Sequence, residues 1–163
     1  MTCRILLDGS AGETLTVAEE LAWQLGAQLH EIEAPDPETG VRAALRRKIS
    51  ALRPKQPGIL VPDQPWHRSD LMILGTPACQ SHIAPALRQW LEMRPALPDR
   101  IAFLCTSHDD DSADGVFAEL ESLTGRDPVA QLHLTSPEIA RENWGSKIEH
   151  FLERCVIRYR HSA

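Results

Sequence analysis

Apolar residues in this chain fall into short continuous runs that alternate with helically spaced ones. Ile5, Leu6 and Leu7 are consecutive and stop at Asp8-Gly9, as in a strand buried on both faces. Behind them Val17, Ala18, Leu21, Ala22 and Leu25 recur at helical spacing, with Gly26 as a C-terminal stop. Leu29 and Glu31 alternate weakly with His30 and Ile32, which predicts an edge or near-edge strand. Val41, Ala44, Leu45, Ile49 and Leu52 predict a second helix ending before Pro54. The stretch "PKQPGILVPDQPWHRSD" carries four prolines and reads as a long connection within one domain, because the pattern resumes beyond it.

"LMILGTP" is the most apolar strand and is predicted to be central. A helix with Leu87, Trp90 and Leu91 inward follows, then the strand "RIAFLCTS". "HDDDSADG" leads into a helix with Val116, Phe117, Leu120 and Leu123 inward. "PVAQLHLTS" is the last strand. Ser136 and Pro137 predict the N-cap and first turn of a final helix that buries Ile148, Phe151, Leu152 and Cys155.

Strict alternation with buried strands predicts an α/β fold, a parallel sheet covered by helices on both faces. Right-handed crossovers leave two common doubly wound orders, and in both a ligand binds beyond the carboxyl ends of the strands. That edge carries loops 8–14, 75–82, 105–111 and 135–137. A length of 163 residues corresponds to one domain, 1–163.

A net charge of −6 disfavours nucleic acid, and the basic run "RAALRRKISALR" reads as the wet face of a helix. No leader pattern opens the chain, and no apolar run approaches the roughly 20 residues that span a bilayer. The expectation is a cytoplasmic protein without membrane contact. Cys3, Cys79, Cys105 and Cys155 are scattered, without C-x-x-C or zinc-ligand spacing, and read as reduced thiols of which at least two are buried. No G-x-S-x-G, Walker or H-E-x-x-H motif occurs, and no set of side chains forms an acid, base and nucleophile. Whether the chain is an enzyme stays open.

Three loops have competing readings. Small residues between a strand and a helix aim backbone N–H groups at one point, an anion site. The alternative is a tight turn capped by Thr14 or Ser10. Cys79, in a strand-end loop, is either a plain thiol or one activated by a helix N-terminus. Asp109, Asp110 and Asp111 are either a solvated helix start or oxygen ligands for a divalent cation, although consecutive Asp residues seldom converge on one ion.

The stretches "LLDGSAGETLTVAEELA", "DLMILGTPACQSHIAPALRQWLE", "RIAFLCTSHDDD" and "PVAQLHLTSPEI" together resemble the flavodoxin-like family over nearly the whole chain. The resemblance implies a three-layer α/β/α fold, with a five-stranded parallel sheet in the order 2-1-3-4-5. It also implies a non-covalent flavin mononucleotide (FMN) site and a role in electron transfer with a redox partner protein. Gly9, Ser10, Ala11, Gly12, Glu13 and Thr14 would cradle the phosphate. Thr76, Pro77, Ala78 and Cys79 would lie along one face of the ring, and Thr106, Ser107 and His108 would border the other.

The chain departs from the family pattern in three places. Gly9 and Ala11 lack hydroxyls, and Glu13 brings a carboxylate to the first turn. The family's stacking aromatic falls at Cys79 or Gln80, leaving His82, Trp66 or His67 as covers. The family has glycine where this chain has Asp109–Asp111, and carboxylates there would lower the potential of a flavin. A cofactor-free binding or scaffold module is therefore the alternative. Receiver domains share the strand order but need acidic residues after strands 1 and 3 and a lysine after strand 5. Here only Asp8, Gly75-Thr76 and Thr135 stand there.

Overall fold

The computed structural model describes residues 1–8, 12–33, 58–108 and 113–160. Its strands are β1 (Cys3–Asp8), β2 (Gln28–Ile32), β3 (Leu71–Pro77), β4 (Ile101–Ser107) and β5 (Gln131–Thr135). Its helices are α1 (Gly12–Leu25), α2 (Pro85–Glu92), α3 (Ala113–Thr124), α4 (Ser136–Ala140) and α5 (Gly145–Arg160), with a 3₁₀ turn at Trp66–Arg68. The helix predicted over 41–52 lies outside the described residues. Among the described residues no helix is long and apolar enough to cross a membrane.

All strand pairs are parallel, in the order β2-β1-β3-β4-β5. The register sets Ile5 between Leu29 and Ile73, Leu74 beside Phe103 and Leu104 beside Leu132. Alternate residues then point to opposite faces. Ile5, Leu7, Ile73 and Leu104 pack with Val17, Ala18 and Leu21 of α1 and Ile148 and Phe151 of α5. Leu6, Met72, Leu74 and Phe103 pack with Leu87 and Trp90 of α2 and Val116 and Leu120 of α3. Both faces are covered, so the inner strands β1, β3 and β4 have no polar side and read as apolar runs, while the edge strands β2 and β5 keep exposed polar residues.

Gly26, at φ +60, ends α1 as predicted, and in the described helices the residues expected to face inward are buried or packed against the core. Two expectations need correction. The final helix is split, because Glu142 takes a left-handed φ of 54 and separates α4 from α5. The cap of α4 is Thr135 rather than Ser136. The Glu138 carboxylate accepts from the Thr135 backbone N–H (2.9 Å) and from its hydroxyl (3.1 Å), an arrangement that ties the end of β5 to the helix start. Burial alone would raise the Glu138 pKa. The Lys147 hydrogen bond and the Thr135 donors outweigh it and hold the carboxyl below its ordinary range.

Gly75 makes room for the Leu7 side chain beneath α1. A Cβ there would lie 2.2 Å from Leu7 Cδ2 and 3.3 Å from Leu104 Cδ2, with Thr14 Cγ2 of α1 at 3.5 Å. Leu7 and Thr14 are fully enclosed, so neither has open space to retreat into. The expected result for Gly75→Ala is a loss of about 1–3 kcal/mol, the cost of overpacking, measured by urea denaturation. Unchanged stability would show that Leu7 repacks freely.

Candidate functional site

The carboxyl ends of β1, β3, β4 and β5 surround a cleft of 340 Å³. Gly12, Glu13 and Thr14 line it from α1, Pro77 and Ala78 from the end of β3, Thr106, Ser107 and His108 from the end of β4, and Ser136 from α4. A larger cavity of 470 Å³ lies at the other end of the helices, where α2 and α3 finish at Glu92 and Thr124. Helix C-termini carry partial negative charge and repel anions, so the smaller cleft, at the carboxyl edge, is the candidate site.

The fourteen-residue helix α1 opens at Gly12. The N–H groups of its first turn have no partner within the helix and carry a partial positive charge. A Cβ at Gly12 would meet nothing within 4 Å, so the backbone there is approachable. Thr14 is different. Its hydroxyl lies 2.6 Å from the Thr106 hydroxyl, with both residues buried, so it neither caps the helix nor turns to the loop. What α1 presents to the cleft is the backbone of its first turn and the Glu13 side chain. Gly9, Ser10 and Ala11 lie outside the described residues.

Glu13 reaches across to the far wall, where its Oε2 accepts a 2.7 Å hydrogen bond from Ser136 Oγ. The same hydroxyl lies 3.1 Å from His108 Nδ1 and 3.3 Å from the Ser107 carbonyl oxygen. One serine thus connects three strand-end loops. Sequence pattern alone does not select Ser136 as a site residue, although its place after β5 on the ligand-binding edge is a usable signal. Ser107 Oγ is also 2.6 Å from His133 Nε2 on β5. The second carboxylate of the region, Asp8 at the end of β1, is buried.

Thr76 lies beneath the loop after β3 rather than on its surface. It donates to the Pro77 carbonyl and accepts from Ala84 N–H, both at 2.9 Å. Cys79 and His82 then pair their backbones at 2.8 and 3.0 Å around Gln80 (φ 53) and Ser81 (φ 64), a tight two-residue hairpin with both central residues left-handed. Non-glycine residues adopt this conformation at a cost and need outside support. A Cβ on Gly115 would lie 2.6 Å from the Ser81 carbonyl oxygen, so α3 abuts the turn directly. Glu119 accepts from Ile83 N–H (3.1 Å) and His82 Nδ1 (3.3 Å) and pairs with Arg88.

These contacts settle the candidate ring covers. His82 is directed to Glu119 and does not line the cleft. Trp66 is buried against His30 and Trp90, before β3 begins and so at the opposite edge of the sheet. His67 belongs to the same 3₁₀ turn. Among the described residues lining the cleft, the His108 imidazole is the one aromatic ring. Asp109–Asp111 lie outside the described residues. Replacing Gln80-Ser81 with Asn-Gly, which favours this turn, is expected to raise stability by about 1–2 kcal/mol in urea denaturation. A loss would mean that the side chains of Gln80 and Ser81 hold the turn.

Cys79 is exposed at the start of this turn, and the other three thiols are buried. Burial, aided by the Asp8 carboxylate, raises the Cys79 pKa above its ordinary 9.0. Burial pushes Cys3, Cys105 and Cys155 up to about 12. The direction of this shift favours the plain-thiol reading of Cys79 over the activated one. A disulfide reagent should titrate one of the four thiols in the native protein and all four after denaturation. The rate at Cys79 should climb about tenfold per pH unit through pH 7–9. A fast, pH-independent reaction at pH 7 would restore the activated thiol.

No family model matches the chain, and no curated protein matches it. Solved structures do. A flavoprotein in complex with FMN from Lactobacillus acidophilus aligns with 86% of this chain and 97% of its own, at 15% identity and a TM-score of 0.63. General stress protein 14 in complex with FMN from Treponema denticola aligns over 93% and 96%, at 15% identity and a TM-score of 0.52. The flavodoxin, WrbA-like protein from Agrobacterium tumefaciens aligns over 76% and 71%, at 15% identity and a TM-score of 0.52. At these identities the likeness is one of fold, and with the strand order above it makes the fold flavodoxin-like.

Proposed function

We propose that this chain binds FMN non-covalently in the cleft and serves as a cytosolic electron-transfer protein. One observation carries the reading. The N–H groups of α1, the Pro77-Ala78 corner and the Thr106–His108 corner converge on one cleft, at the edge where this fold takes its ligands.

The residues fit the group in most respects. Backbone N–H groups at a helix start suit a phosphate, and Gly12 leaves them open to it. Pro77 and Ala78 offer a small apolar wall, while Ser107 and His108 are polar on the other side. The fit is weakest in charge, because the Glu13 carboxylate lines the phosphate end and Asp8 is buried at the end of β1. Bound FMN would supply one- and two-electron chemistry, with the protein contributing binding, orientation and electrostatics. In this role the first turn of α1 holds the phosphate, Pro77 and Ala78 flank the ring, and Ser107 and His108 meet its polar edge. The net charge of −6 would steer a basic redox partner towards the protein.

A cofactor-free binding module is the second reading, favoured by the Glu13 carboxylate across the cleft and by the Thr14 hydroxyl turned to Thr106. Titration with FMN, read by flavin fluorescence and melting temperature together, separates the two. Flavin binding predicts quenching with a micromolar or tighter constant. It also predicts stabilisation of about 2.7 kcal/mol at a hundredfold excess over that constant. No quenching and no stabilisation at millimolar FMN would leave the binding module.

A further inference from the structure

Glu13, Ser136 and His108 come from three loops and form one hydrogen-bonded chain along the cleft wall. Ser136 Oγ has three neighbours within reach: Glu13 Oε2 at 2.7 Å, His108 Nδ1 at 3.1 Å and the Ser107 carbonyl oxygen at 3.3 Å. A serine hydroxyl has a single proton to donate. An ionised carboxylate and a carbonyl can only accept, and the carboxylate is both the nearest and the charged acceptor. The proton therefore goes to Glu13. Ser136 can then only accept from His108, so Nδ1 must carry a hydrogen. In a neutral imidazole this leaves the lone pair on Nε2, on the side of the ring turned away from Ser136.

At this corner the Thr106 carbonyl takes the Ala78 N–H at 2.8 Å, and the Ser107 carbonyl lies 3.3 Å from Ser136 Oγ. His108 lines the cleft beside them and adds a side-chain acceptor for a ligand N–H.

We infer that Glu13, acting through Ser136, is a positioning residue that holds neutral His108 as the Nδ1–H tautomer, so that Nε2 receives an N–H of the ligand. The ligand class is a flat heterocycle with an imide-type N–H between carbonyls, as at the pyrimidine end of a flavin. This ligand assignment rests on the FMN reading above; the tautomer assignment does not. Glu13 thereby has a role besides its charge at the phosphate end.

The first experiment needs no cofactor. Protein labelled with ¹⁵N-histidine is studied by long-range ¹H–¹⁵N correlation in alkaline buffer, where imidazoles are neutral, with His108 assigned from a His108→Ala control. In the wild type, Nδ1 should show the protonated shift and Nε2 the unprotonated one. In Glu13→Ala the Ser136 proton loses its carboxylate and is shared between Nδ1 and the Ser107 carbonyl, so the Nε2–H fraction should rise measurably. Ser136→Ala should release it as well. Glu13→Gln, which keeps an acceptor oxygen, should retain Nδ1–H. An Nε2–H wild type, or a tautomer indifferent to Glu13→Ala and Ser136→Ala, overturns the assignment.

The second experiment compares riboflavin with 3-methylriboflavin, which lacks the N–H. The ratio of their dissociation constants cancels effects common to both ligands, and neither carries a phosphate. The wild type should prefer the N–H ligand about tenfold, the value of one hydrogen bond. The preference should collapse in Glu13→Ala, Ser136→Ala and His108→Ala. A preference that survives in His108→Ala is steric and overturns the recognition role. Failure of the wild type to bind any flavin, FMN included, sinks the FMN reading and the ligand half of this proposal together. The tautomer is then decided by the NMR measurement alone.

Discussion

The buried contact between the Thr14 and Thr106 hydroxyls, 2.6 Å apart, pins the first turn of α1 to the end of β4. Beneath it, Gly75 leaves the space that the Leu7 side chain occupies, and the position of its missing Cβ is within van der Waals reach of Thr14. The geometry of the cleft follows from this junction. With α1 seated, its unpaired N–H groups open beside Pro77 and Ser107, and Glu13, one residue from Thr14, comes within reach of Ser136. A buried hydroxyl pair costs little if both partners stay and about 1–3 kcal/mol if one is left alone, so the junction is geometrically strict.

Around that junction the cleft holds opposing charges. The helix start favours a negative group, and Glu13 already supplies one, at a gain of about 0.3–1 kcal/mol from the dipole and a further 1.5–3 kcal/mol from a hydrogen bond to a charged acceptor. A ligand phosphate must outweigh these terms or coexist with the carboxylate on the wall. Asp8 adds to the same field and raises the Cys79 pKa. With its pKa raised by partial desolvation and by Asp8, Cys79 is a weak nucleophile at neutral pH, and the described cleft itself offers backbone N–H, hydroxyl, carboxylate and imidazole groups.

Much of the architecture is legible in short-range pattern. Continuous runs such as Ile5-Leu6-Leu7 identify strands covered on both faces, and the strand ends then locate the edge on which Gly12, Glu13, Pro77, Ser107 and His108 converge. The misplaced residues share one cause. Trp66 is a candidate cover by sequence because it is aromatic and lies in an irregular stretch, yet packing against His30 and Trp90 holds it at the far edge. His82 is a candidate because it follows the loop, yet Glu119, on a helix 37 residues away, claims its ring. Ser136 escapes notice because its two main partners stand 123 and 28 residues from it.

By itself the sequence determined the periodicities: which runs are strands, which residues of each helix face inward, where Gly26 ends α1, and that the sheet is parallel with helices on both sides. These depend on side-chain spacing over a few residues and on the polarity of each position, which the chain carries before it folds. The resemblance to a known family supplied the strand order, which the local pattern had narrowed to two. Only the tertiary structure decided where the Thr14 hydroxyl points, which wall Glu13 holds, and which nitrogen of His108 faces Ser136. A hydroxyl, a carboxylate and an imidazole each have several partners open to them, and the choice is made by groups brought to within 2.6–3.1 Å by strands far apart in the chain.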